Sequence, residues 1–240
     1  MSTDSPRSRT ALYTVVGMVA AGASSWLVAR AVLALSKEPM GHWLLARAGG
    51  LTSYLLLVAL VCTGLVLAHP WRNRITRPTT ATRLRIHAAL ASGTLAFTVL
   101  HVVALALDEH AGVGWQGALL PLASTYRPVP VTLGVVGLYA GLVAGLTASM
   151  AGRLAARIWW PVHKFAAVSL VLVWAHSVLA GSDTPALLAV YLGTGGLVLA
   201  LAASRYVART TTDRVADLAA TAQPTTSDLH LVDEQRSGRS

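Results

Sequence analysis

Two apolar stretches of this 240-residue chain each carry a pair of histidines: His87 and His101 in one, His163 and His176 in the other. An imidazole inside a membrane span costs free energy, so its default reading is functional. His87 and His101 are fourteen residues apart. At about 100° and 1.5 Å per residue they return to nearly one helix face, about 40° off and about 21 Å apart. His163 and His176 are thirteen residues apart, about 20 Å on the same rise. If the two helices run in the same direction, the first histidines share one level and the second histidines share another. Each level then offers two neutral imidazoles across a helix–helix gap. That is the ligand set of a b-type heme held without covalent attachment.

The angular arithmetic predicts a local irregularity. Thirteen ideal steps leave His163 and His176 about 140° apart in azimuth. A bend, a π or 3₁₀ turn, or a frayed start beside Pro161 must reorient one of them.

Other uses of intramembrane histidine are hydrogen bonding across helices and proton relay. Relays bring Asp or Glu partners, and neither histidine-bearing stretch contains a carboxylate. A compact metal site needs three or four ligands together, whereas these histidines separate into two levels. The single cysteine, Cys62, excludes a disulfide framework, a four-cysteine cluster and a C-x-x-C-H heme attachment within this chain.

The elements that position the histidines are readable from hydropathy. The chain is 54% hydrophobic and only 12% charged, against about 25% charged in soluble domains. Spans are expected at Ala11–Leu35, Gly49–Ala68, Leu84–Leu107, Val131–Met150, Val162–Ala180 and Ala186–Val207. The first competes with a signal peptide behind Arg7 and Arg9, but it is long for one. Trp159-Trp160-Pro161 fits an interfacial belt leading into the first turn of a helix. The predicted fold is an all-α, integral membrane six-helix bundle. Residues 1–10 form a short N-terminus, 11–207 the six-span heme-binding domain and 208–240 a disordered polar tail.

The formal net charge is +9. The basic residues fall between apolar runs and not on a soluble face, which excludes a nucleic-acid partner. Arg7, Arg9, Arg72, Arg74, Arg77, Arg153, Arg157 and Arg209 lie on one side of the six-span topology, and Lys37, Arg47 and Arg127 on the other. The positive-inside rule makes both termini cytoplasmic in a plasma, or inner, membrane. The arginines at the cytoplasmic level, Arg83, Arg85, Arg153 and Arg157, have two readings: topology, or ion pairs with heme propionates. Lys164, beside His163, is a similar candidate.

The pattern H-x13-H on the third span and H-x12-H on the fifth resembles the ferric reductase-like transmembrane domain. That domain is shared by ferric-chelate reductases, NADPH oxidases and the heme membrane subunit of a bacterial periplasmic methionine sulfoxide reductase system. The resemblance covers about residues 45 to 205. It includes Gly49, Gly50 and Gly64 on the second span, Arg83 before His87, and Trp160-Pro161-Val162-His163-Lys164. It implies two bis-histidine b hemes: His87 with His163 on the cytoplasmic side, and His101 with His176 on the outer side. The oxidases continue into a domain binding FAD and NAD(P)H. Here a polar tail follows span six and no G-x-G-x-x-G follows a strand, so that domain is expected to be absent.

The expected function is a diheme cytochrome b, surrounded by membrane lipid. It would carry electrons from a flavoprotein or quinol donor to an acceptor at the outer face, with no catalytic side chain of its own. Two alternatives stay open: a heme-bearing anchor for an extracytoplasmic oxidoreductase, and a non-redox small transporter or structural membrane protein.

Overall fold

A computed structural model describes residues 22–23, 26–35, 37–38, 40–150 and 161–221. Among these residues all regular structure is helical. The helices are α1 (Trp26–Leu35), α2 (Gly41–Leu67), α3 (Thr80–Ala106), α4 (Gly114–Leu119), α5 (Pro128–Ser149), α6 (Phe165–Ala180) and α7 (Thr184–Thr221). A 3₁₀ turn, Pro70–Arg74, links α2 to α3.

Five helical segments are long and apolar enough to cross a membrane: Gly41–Leu67, Thr80–Ala106, Pro128–Ser149, Pro161–Ala180 and Thr184–Thr211. They account for the second to sixth expected spans. Most of the first, Ala11–Leu35, lies outside the described residues, as do the 1–10 segment and residues 222–240. Helix α7 is longer than the sequence suggested. It runs past Val207 to Thr221, because a helix keeps its backbone bonded after its side chains turn polar. The first part of the expected disordered tail is therefore helical.

The described residues form two compact units. One takes residues up to Leu56 together with Ser92–Thr184; the other takes Leu57–Ala91 and the residues from Pro185 onward.

In the first unit small residues bring helices close. A Cβ on Gly49 of α2 would stand 3.3 Å from the His101 backbone nitrogen on α3. The Ser53 and Thr98 hydroxyls lie 2.5 Å apart across the same interface. Leu45, Ala46 and Ala104 form a buried cluster against Val32, Leu35 and Leu105. Helices α5 and α6 meet in the same way. Gly137 faces Val173 and Leu172, and the buried Ser169 hydroxyl donates to the Gly137 carbonyl at 2.7 Å. Without a hydrophobic drive between helices in lipid, close packing and such hydrogen bonds hold them together.

Arginines tie up carbonyls in the second unit. Arg205 of α7 donates to the Ala68 carbonyl at 3.1 Å, just past the end of α2, where helix carbonyls lack partners. His69 caps the 3₁₀ turn by accepting from the Trp71 amide at 3.2 Å.

Candidate functional site

His101 and His176 project from α3 and α6 within the first unit, and their rings face each other. The ring centres are 6.3 Å apart and the planes are inclined at 70°. Each ring is tethered from behind. Nδ1 of His101 lies 2.6 Å from the Ala46 carbonyl on α2. Nδ1 of His176 lies 2.9 Å from the Pro130 carbonyl on α5. A carbonyl only accepts, so each Nδ1 carries the hydrogen and donates it. Each Nε2 keeps its lone pair, ready for a metal.

The tethers need glycine. Gly50 stands four residues after Ala46, and a Cβ there would fall 2.8 Å from Nδ1 of His101. Gly134 stands four residues after Pro130, and a Cβ there would fall 2.8 Å from Nδ1 of His176. In a helix, residue i+4 overlies carbonyl i. Removing its side chain opens that carbonyl to a ring from the neighbouring helix.

His87 has a related seat in the second unit. A Cβ on Gly64 of α2 would stand 3.2 Å from its Cε1, and the Thr63 hydroxyl lies 3.1 Å from its Nδ1. His87 and His101 share the unbroken helix α3. His163 belongs to the first unit, on the helical turn Pro161–His163. His87 and His163 thus fall in different units, and each is described within its own.

The irregularity expected between His163 and His176 is present at Lys164, which is a turn residue between the Pro161–His163 turn and α6. The Lys164 amide donates to the Pro161 carbonyl at 3.2 Å, and the Ala167 amide to the Lys164 carbonyl at 2.9 Å. Both are three-residue spacings. At three residues per turn each tightened residue adds about 20° over an α-helical step, which reduces the 140° mismatch.

Arg83 is buried at the start of α3. Its guanidinium donates to the Arg72 carbonyl at 3.2 and 3.3 Å, to the Ile75 carbonyl at 3.1 Å and to the Thr80 hydroxyl at 3.1 Å. Its first task is to close the α2–α3 loop. Its Nε–H is also buried and has no acceptor among the described residues, which leaves one donor for an anionic oxygen. Arg85 is exposed; Arg153 and Arg157 lie outside the described residues.

A bis-imidazole iron fits the facing pair. Two metal–nitrogen bonds of about 2 Å, and about 1 Å from each nitrogen to its ring centre, need centres about 6 Å apart. No group of three His, Cys, Asp or Glu residues suited to a metal ion occurs among the described residues. Sequence reasoning missed the carbonyls of Ala46 and Pro130 and the roles of Thr63 and Gly134. The available signal was glycine inside an apolar helix, where its helix propensity is poor.

Residues 48–174 match the family model described as "Ferric reductase like transmembrane component". No curated protein and no solved structure matches the chain.

Proposed function

Because the chain belongs to the ferric reductase-like transmembrane family, and is on that ground a multi-pass membrane protein, we propose that it is a diheme b-type cytochrome. His101 and His176 would hold one heme through Nε2; by the family resemblance, His87 and His163 would hold the other. Electrons pass from a flavoprotein or quinol donor on the cytoplasmic side to an acceptor at the outer face. The hydropathy of the sequence supports six spans, and the loop charges support cytoplasmic termini in a plasma or inner membrane.

The observation that carries this reading is the facing His101–His176 pair at 6.3 Å, with both Nδ1 atoms turned away onto backbone carbonyls. A structural role needs only the Nδ1 bonds to the neighbouring helices and gives no reason for the second nitrogens to meet across one gap. Here both rings present unprotonated nitrogens to one gap. Heme, when bound, supplies one-electron redox chemistry. The chain's residues hold the ligand nitrogens in one tautomer, and apolar helices keep water away. Arg83, through its Nε–H, and Arg153 would pair with the propionates of the heme at the His87 level. Exposed side chains such as Leu95 and Val99 on α3 and Leu192 and Leu199 on α7 meet lipid acyl chains.

The test is spectroscopic. Purified protein reduced with dithionite should show b-type α and Soret bands, with two hemes per chain by pyridine hemochrome. A preparation free of any Soret band ends the proposal.

A further inference from the structure

Three helix carbonyls share one register with a glycine four residues on: Ala46 with Gly50, Leu60 with Gly64, and Pro130 with Gly134. A histidine ring from another helix packs over each glycine: His101, His87 and His176 respectively. Two of the rings reach the carbonyl directly, at 2.6 and 2.9 Å. The third does not. At His87 the Thr63 hydroxyl is interposed, 3.1 Å from Nδ1, and that hydroxyl donates to the Leu60 carbonyl at 2.8 Å. A hydroxyl has one hydrogen. With it on Leu60, Thr63 offers His87 only lone pairs, so Nδ1 of His87 is the donor. The chain of bonds runs from His87 through Thr63 to Leu60.

An acceptor on Nδ1–H draws that proton away and makes Nε2 a stronger electron donor, which favours the oxidised iron. We propose that Thr63 is a positioning residue for the His87 ligand: its hydroxyl fixes the Nδ1–H tautomer and tunes the midpoint potential of the heme on His87 without affecting the heme held by His101 and His176. The inference rests on the diheme reading above. It adds a residue that gives the two sites different electronic environments, one through a hydroxyl relay and one through direct carbonyls.

The experiment is a redox titration of the whole protein in detergent or nanodiscs. In Thr63→Val, of nearly the same shape but unable to accept, one midpoint should move positive. The ratio of reduced to oxidised heme at fixed potential should rise several-fold, within the range of second-shell effects. The other midpoint should stay in place, and Thr63→Ser should restore the wild-type value. In a His176→Ala background, which leaves the His87 heme, the same shift should appear in the single remaining midpoint. If Thr63→Val loses one heme while Thr63→Ser keeps it, the hydroxyl holds the ligand and the role stands. Unmoved midpoints with both hemes bound would overturn the inference, and so would a Thr63→Ser variant that shifts or loses heme as far as Thr63→Val. Wild-type protein without b-type bands would instead overturn the diheme reading itself.

Discussion

Gly134 on α5 stands directly against His176 on α6, and a methyl group placed on it would fall 2.8 Å from the ring's Nδ1. That nitrogen is already engaged with the Pro130 carbonyl at 2.9 Å, so the ring can retreat only by lengthening that bond. Gly134→Ala is expected to lift the ring off its acceptor and empty one of the two proposed heme sites. Hemochrome content should fall from about two per chain to about one in correctly inserted protein. Full content with unchanged spectra would show that the seat is dispensable.

His101 and His176 should act as a unit. Removal of either imidazole is expected to remove the same heme, so the double variant should lose no more than each single one, the mark of coupled sites. Heme content and the reduced-minus-oxidised spectrum of His101→Ala, His176→Ala and the double variant check this. Two separate, additive losses would mean that the two residues serve different sites.

The α5–α6 interface offers a stability test away from the ligand atoms. Ser169→Ala deletes the buried bond to the Gly137 carbonyl. Interhelical bonds of this kind are worth about 0.6 kcal/mol on average in a membrane protein. A loss of about 0.5–1 kcal/mol in reversible unfolding from mixed micelles is expected, with the heme spectrum retained. A change above about 2 kcal/mol would mean that Ser169 does more than join the two helices.

Arg83→Lys keeps the charge but removes the planar fork that reaches the Arg72 and Ile75 carbonyls and the Thr80 hydroxyl together. The segment between α2 and α3 should then be cut faster by trypsin in limited proteolysis, with the histidine-bearing part of α3 still protected. A cleavage rate equal to wild type would argue that these bonds do not hold the loop.

The spans were legible because each of the long apolar runs has little choice but to be helical in lipid, where every backbone polar group must be bonded within the segment. The approach of His101 to His176 was legible for a related reason, since a costly residue type stands out against Leu, Val and Ala. Even the break at Lys164 could be anticipated, because His163 and His176 do not share a face on an ideal helix. The seats were harder to see. That Ala46 and Pro130 would present their carbonyls depends on which helix lies against which, and hydropathy does not contain this. Arg83 had two readings in the sequence, topology or an anionic partner, yet most of its donors serve nearby acceptors that only the folded loop brings together. The extent of α7 was missed because the polar composition after Val207 was read as the end of helical structure.

Each of the His101 and His176 seats depends on a spacing of four residues between a carbonyl and a glycine on a helix other than the one carrying the histidine. The chain's tolerance of length changes is therefore uneven. One residue added between Ala46 and Gly50, or between Pro130 and Gly134, would rotate the glycine gap by about 100° away from its carbonyl and put a side chain where the ring rests. The same insertion in the loop before α4 would only lengthen a connection. Within this family, single-residue insertions and deletions should thus be excluded from two short windows that contain no metal ligand.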